Sequence, residues 1–217
     1  FIHDVKKIAA LMPPRRQTML FSATMPQEVS NLANELMRNP ETIAVSKQST
    51  VAPNIDQKVL FVDQANKKDL LTHVINDGNI RRALVFTRTK HRADRIMKQL
   101  AISGISADAI HSNKSQNARQ KALAAFDRGK VRVLVATDIV ARGIDVDGIS
   151  HVINYELPHE PESYIHRIGR TARAGATGVA LSFCDSEEVK MLRGIELLTQ
   201  IPLTTLDDQP FHSASIA

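Results

Sequence analysis

Residues 166–175 read HRIGRTARAG, with three arginines and a histidine in ten positions, two glycines among them and no acid. Guanidinium groups this close repel one another, so Arg167, Arg170 and Arg173 call for an anion. The forked donors of arginine match phosphate oxygens two at a time. The preceding HEPESYIHRIG reads as a helix with Pro161 in its first turn and Glu162 near its N-terminus. Ile165 and Ile168 face the core, and Gly169 ends or bends the helix. Arg170 and Arg173 then fall on or past the helix C-terminus, on a loop whose glycines cost conformational entropy unless the backbone passes close to something. A solvated basic surface accounts for one such arginine. Phosphate binding accounts for the set.

Three further stretches are unremarkable one at a time. In VLVATDIVARGIDV (133–146) a buried strand ends in Thr137 and Asp138, either of which can cap a one-turn helix closed by Gly143. HSNKSQNAR (111–119) ends a strand and opens a helix that carries Gln116 and Arg119 on one face, at an entrance whose backbone N–H groups favour a phosphate. LFSATMP (20–26) places Ser22 and Thr24 after a strand, and Thr24 with Gln27 fits a capping box with Pro26 in the first turn. A phosphate-cradling loop is missing. Gly143 and Gly148 have the separation of G-x-x-x-x-G-K-[ST], but Ile149 and Ser150 follow. No acidic strand-end cluster suits Mg²⁺ either, and DSEE (185–188) reads as the start of a helix. The chain by itself is not expected to hydrolyse ATP.

The elements that position these residues alternate. Strands are expected at 17–22, 42–45, 58–62, 83–86, 131–136, 151–155 and 178–183, several of them without polar alternation, as in a parallel sheet buried on both faces. Helical spacing runs through Val29, Leu32, Ala33, Leu36 and Met37, then Ala93, Ile96, Met97, Leu100 and Ala101, then Ala118, Ala122, Leu123 and Phe126 with Ser115 as N-cap. Strand–helix–strand rotation implies a doubly wound α/β sheet. SKQSTVAPNIDQ has few large apolar residues, and 46–56 is assigned as a linker. The organisation is therefore 1–45 as part of one domain, 57–207 as a full domain, and 208–217 as a tail whose HSASIA end (212–217) is frayed. The chain opens without methionine inside a helical pattern, as a piece of a longer protein would.

At 43% hydrophobic and 24% charged, the 217 residues can bury a core. The net charge of +5 is permissive for a polyanion partner and no more. Cys184 is the only cysteine, which excludes an intramolecular disulfide and a cysteine-built zinc site and fits a reducing, cytoplasmic setting. The histidines lack metal-ligand spacing, so no metal site is expected in this chain. No apolar run is long enough to span a membrane, and no membrane partner is expected.

Taken in order, SAT (22–24), LVFTRTK (84–90), HSNKSQNAR, ATDIVARGID (136–145) and HRIGRTARAG resemble the later motifs of the DEAD-box ATP-dependent RNA helicases. The NKSQ and ATDI wording resembles the RhlE-like branch. The resemblance covers residues 2–207 and implies two RecA-like lobes, P-loop NTPase-like in fold, with ATP and RNA bound across the cleft between them. Residues 1–45 would be the end of the first lobe and 57–207 the helicase C-terminal lobe. The phosphate loop and the Asp-Glu-Ala-Asp motif, which with Mg²⁺ hold ATP, would lie upstream. The resemblance casts Arg170 and Arg173 as arginine fingers on the γ-phosphate. It casts Arg167 and His166 as ties to the acidic motif and to Ser22 and Thr24, and Gly143 and Asp145 as the ribose site. Thr89, Lys114, Gln116, Arg119 and Thr137 fall where the family meets the RNA backbone. Ribosomal precursors or RNA-decay machinery would be partners. A two-lobed DNA helicase and a non-catalytic RNA-binding module are the alternatives. Two departures stand out: Ala172 and Ser112 occupy positions where the family usually has glycine.

Overall fold

The computed structural model describes residues 2–22, 25–44, 54–77, 80–141 and 144–217. The chain divides into two units, Phe1–Thr50 and Val51–Ala217. The first holds two helices, α1 (Ile2–Leu11) and α2 (Gln27–Leu36), linked by a 2.7 Å Lys6–Glu35 ion pair. Pro26 is the N-cap of α2, one position before the helix rather than inside its first turn. The strands expected at 17–22 and 42–45 are absent among the described residues. An extended segment becomes a strand only with a ladder partner, and here Phe21 and Ile43 are almost fully exposed.

The second unit carries seven parallel strands in the order β3-β4-β2-β5-β6-β1-β7. They are β1 (Ile55–Phe61), β2 (Ala83–Phe86), β3 (Ala107–Ile110), β4 (Val133–Ala136), β5 (His151–Asn154), β6 (Gly178–Cys184) and β7 (Thr204–Thr205). Both faces are covered, which explains the unbroken apolar runs. Leu84 and Phe86 of β2 point to one layer with α5 (Gln116–Asp127), α7 (Pro161–Ile168) and α8 (Val189–Thr199). Ala83 and Val85 point to the other, with α3 (Lys67–Asn76) and α4 (Lys90–Ile102). This is the doubly wound α/β sheet expected. The spacing readings hold in part: Ala93, Ile96 and Leu100 are the buried stripe of α4 while Ala101 is exposed, α2 buries only Ala33, and the Ser115 hydroxyl accepts from Ala118 N at 3.2 Å to cap α5.

The final segment departs from expectation. Residues 209–213 are docked, not frayed. Ser213 N donates to Phe61 O at 3.0 Å, His212 bridges Val62, and Phe211 stands edge-on to His73. The end of β1 leaves backbone acceptors that this segment satisfies. No helix among the described residues is long and apolar enough to cross a membrane.

Parallel pairing brings the C-terminal ends of β2, β3, β4 and β5 to one edge of the sheet. The segments that follow them, Thr87–Thr89, His111–Lys114, Thr137–Asp138 and Tyr155–Glu156, share that edge. Open α/β sheets place ligands there.

Candidate nucleotide and RNA interface

The one-turn helix α6 (Asp138–Ala141) and the segment after it run alongside α7. Each arginine of the 166–175 stretch grips one point of residues 138–145. Arg167 holds Asp138 with two parallel bonds, Nε to Oδ1 at 2.6 Å and Nη2 to Oδ2 at 2.8 Å. Its Nη1 donates to Glu156 O at 2.6 Å and to Asn154 Oδ1 at 3.2 Å, and the guanidinium lies 5.1 Å from the Phe86 ring centroid. At 1% exposure Arg167 is a fully engaged, buried side chain. It touches the 138–145 segment and β5, so it acts through other groups as a positioning residue.

Arg170 differs. Its Nη1 donates to Ile144 O at 3.0 Å and its Nε to His166 O at 3.3 Å. No carboxylate is paired with it among the described residues. Burial works against its charge, and so does the neighbouring Arg173, with Asp145 in partial compensation, so its pKa is lowered. It lines a narrow cleft with Asp138, Ser163, His166 and Arg167. A cation so placed gains from any anion that arrives. Arg173 donates to Gly169 O at 3.2 Å and pairs with Asp145 at 2.5 Å, and the Asp145 side chain is 94% exposed. His166 is half-buried on α7 and lines the same cleft as Arg167 and Arg170.

The loop that carries Arg173 is held in an uncommon shape. Ala172 has φ 57° and ψ 30°, the left-handed region that costs an L-residue about 1–2 kcal/mol and that glycine would occupy freely. This is one of the two positions where the sequence departs from the family's glycine. The conformation is maintained by its surroundings: Asn54 Nδ2 donates to Ala172 O at 3.1 Å and also to Ala176 O, and Thr171 Oγ1 donates to Ile149 O. A Cβ on Gly178 would lie 2.2 Å from Thr171 Oγ1 and 2.9 Å from Ala172 N, so only glycine lets β6 start this close to the loop. Gly169, by contrast, has an ordinary right-handed φ of −65°.

The residues expected to meet RNA lie on the C-terminal edge of β2, β3 and β4. Thr89 is exposed and caps α4, accepting from Arg92 N at 3.3 Å. Lys114 is half-buried, 3.7 Å from Asp108 and 3.8 Å from Asp94. Burial pushes the Asp94 carboxyl up, but the His111 hydrogen bond and the His111 and Lys114 charges outweigh it and leave it below the usual range. Lys90 Nζ donates to Asn113 Oδ1 at 2.8 Å and draws the β2–α4 and β3–α5 loops together. Gln116 is exposed at the start of α5. Arg119, one turn on, has its Nε buried without a hydrogen-bond partner among the described residues. Thr137 is 9% exposed, and its carbonyl accepts from Val140 N and Ala141 N. Ser112, the second departure, is exposed in the turn before Lys114.

Sequence reasoning missed the buried acids behind this edge. Glu188 is wholly buried and holds Lys67, the Arg88 guanidinium at 3.0 Å and Leu157 N at 3.1 Å. Burial raises the Glu188 pKa, against the Lys67 and Arg88 charges. Glu156 holds Arg88 and Arg92. Asp185 pairs with Lys67 at 2.9 Å. Asp185 and Glu188 were read as acids serving a helix dipole. Their partners lie at the starts of α3 and α4, far away in sequence. The one available signal was an acid, Glu156, directly after the apolar run HVINY.

Three sequence assignments remain outside this geometry. Thr24 and Gly143 lie outside the described residues, and Ser22 belongs to the first unit. Among the described residues no three His, Cys, Asp or Glu side chains are grouped to hold a metal ion. A cavity of about 530 Å³ is lined by Asn54, Asp56, Ser150 and His151 at the starts of β1, β5 and β6, away from both clusters.

Comparison with known proteins agrees with this layout. Residues 66–175 match the helicase conserved C-terminal domain. The DEAD-box ATP-dependent RNA helicase CshA of Geobacillus kaustophilus is 43% identical over 92% of this chain, and that of Bacillus subtilis is 43% identical over 99%. The chain spans 43% of the length of each of these curated relatives. Among solved structures, Saccharomyces cerevisiae Dbp5 bound to RNA and ADP BeF3 is similar at 30% identity with a TM-score of 0.87, over 94% of this chain and 55% of that one. Escherichia coli SrmB, solved with regulator of ribonuclease activity A, is similar at 31% identity and a TM-score of 0.69, over 75% of this chain and 96% of that one. With its seven-stranded sheet, its arginine helix and these relatives, the chain belongs to the helicase conserved C-terminal domain family, as the C-terminal lobe of the DEAD-box RNA helicase kind.

Proposed function

We propose that this chain supplies the second lobe of an ATP-dependent RNA helicase that parts short duplexes by closing two lobes around ATP and RNA. One observation carries the reading: Arg170 is a half-buried cation whose partners among the described residues are carbonyl oxygens, in a cleft beside a second arginine. Arg170 and Arg173 would then meet the γ-phosphate of ATP, held with Mg²⁺ mainly by a first lobe. When water attacks the γ-phosphorus and the bond to the β-phosphate oxygen breaks, negative charge builds on the transferred group and the leaving oxygen. Guanidinium donors aimed at that charge accelerate the step roughly a thousandfold or more in comparable NTPases. Asp145, with Gly143, would take the ribose, which requires its pairing with Arg173 to loosen. Ser22 and Thr24 would relay closure between lobes, and His166 would stand beside the arginines at the cleft.

Thr89, Lys114, Gln116, Arg119 and Thr137 would follow one RNA strand by phosphate and 2′-hydroxyl contacts, which makes binding tolerant of sequence and sensitive to salt. The relatives named above are CshA proteins; the NKSQ and ATDI wording supports an RhlE-like branch within the same family. A cytoplasmic setting and ribosomal precursor or decaying RNA as substrate go with that reading. On this account the chain is inactive alone, because it holds no phosphate loop. The test is Arg170→Ala in the full open reading frame that carries this sequence. RNA-stimulated ATP hydrolysis is expected to fall by roughly a thousandfold, with thermal stability little changed. Hydrolysis at the unsubstituted rate would rule the assignment out.

A further inference from the structure

We propose that Glu156 is a positioning residue that ties the candidate RNA edge to the arginine helix, so that binding of RNA and of ATP become one event. The inference rests on the function proposed above and adds a residue that function does not use. Glu156 follows β5 at the shared sheet edge and is 3% exposed. Its two ends serve different clusters. The carboxylate accepts from Arg88 N at 2.9 Å, Arg88 Nε at 3.2 Å and Arg92 Nη1 at 2.8 Å. Arg88 and Arg92 flank Thr89, whose side chain accepts from Arg92 N and whose carbonyl accepts from the Thr87 hydroxyl at 3.1 Å. The shape of the Thr87–Thr89 loop is therefore set by that carboxylate. The backbone carbonyl of Glu156 accepts from Arg167 Nη1 at 2.6 Å, and the same guanidinium fixes Asp138 beside Thr137. Arg167 lies one turn before Arg170 on the α7 segment.

Two loops expected to touch RNA and the helix that leads to the candidate fingers thus share one buried anchor. A displacement of Thr89 by an RNA phosphate is passed through Arg88 and Arg92 to residue 156, and from there to Arg167. Glu188 holds the far side of Arg88 at 3.0 Å, so the arginine has no slack to absorb the displacement. A buried charge with every donor placed is rigid, and rigid elements with shared anchors carry coupling between sites.

The experiment measures RNA affinity in the full open reading frame with and without a non-hydrolysable ATP analogue. The ratio of the two dissociation constants is the coupling factor. Glu156→Gln keeps the shape but removes the charge that orders two guanidinium groups, and is expected to lower the factor at least about fivefold. Leu71→Ala, in the α3 core one turn past Lys67 and without a hydrogen bond to Glu156, Arg88 or Arg92, also destabilises the fold but is expected to leave the factor unchanged. If Glu156→Gln does not fold, Arg92→Gln, on a partly exposed arm of the clamp, carries the test with a smaller drop in the same direction. An unchanged factor in the folded variant, or an equal drop in Leu71→Ala, overturns the inference while leaving the proposed function standing. A factor of one in the unsubstituted protein overturns the proposed function, and this inference with it.

Discussion

Arg167 and Arg173 sit six residues apart, and each pairs with an aspartate of the 138–145 segment, yet they do opposite work. Arg167 is buried and its donors are spent on Asp138, Asn154 and the Glu156 carbonyl. Arg173 reaches into solvent toward an aspartate that is 94% exposed. A forked, buried ion pair with every donor placed fixes geometry. A single exposed bond holds a side chain only until a better anion comes. The same residue type thus builds the scaffold at one end of the stretch and stays available at the other. Arg170, between them in sequence, is also intermediate in burial and has carbonyls for partners.

The sharpest way to break this contrast is Arg167→Ala. It strands the Asp138 carboxylate, leaves Asn154 and Glu156 short of a donor, and opens a void against Phe86. Urea unfolding of this chain should show a loss of about 3–5 kcal/mol, the sum of the void, the buried acceptors left without a donor and the lost partner of the partly exposed Asp138. That is a large share of the ~5–15 kcal/mol a domain has. Arg167→Lys should recover little, because one ammonium cannot reproduce two parallel bonds and two further contacts. A loss below about 1 kcal/mol would mean that Arg167 is no more structural than Arg173.

Asp138→Asn probes the other side of the same pair and should cost less, about 1.5–3 kcal/mol by the same measurement. Asp138 is partly exposed, so its charge is more weakly missed, and Arg167 keeps its bonds to Asn154 and Glu156. If Asp138→Asn proved as costly as Arg167→Ala, the scaffold would depend on the carboxylate alone.

Much of this division could be read from the sequence and some could not, for physical reasons. The sheet was legible where strands are buried on both faces: 83–86, 131–136, 151–155 and 178–183 are mostly apolar and lack strict polar alternation. The helices were legible where an apolar stripe faces one layer, as at Ala93, Ile96 and Leu100. Segments 17–22 and 42–44 also carry apolar residues but have no ladder among the described residues, since composition cannot report whether a partner strand is present. The tail from 212 looked frayed because Ser, His and Ala carry no apolar pattern, whereas its attachment to the end of β1 is made by backbone groups. The arginine cluster was visible as a cluster, but its split into a buried Arg167 and a half-buried Arg173 paired with an exposed aspartate depends on which loop lies opposite each turn. The Lys67–Asp185–Glu188 group was invisible because Lys67 is more than a hundred residues from the two acids and only the sheet order brings them together.

The smallest effect is the most informative about the available end. A double-mutant cycle on Asp145→Asn and Arg173→Gln should give a coupling energy below about 1 kcal/mol in the stability of this chain, shrinking as salt is added. The pair is short, but exposure lets water and ions replace either partner, and holding a long side chain in one geometry offsets most of the attraction. A small coupling is what a releasable pair requires: the nucleotide would have to supply little to take Arg173 from Asp145. A coupling comparable to that of Arg167 with Asp138 would make Arg173 a second structural clamp, held too firmly to turn toward a phosphate, and Arg170 would be left as the sole candidate finger.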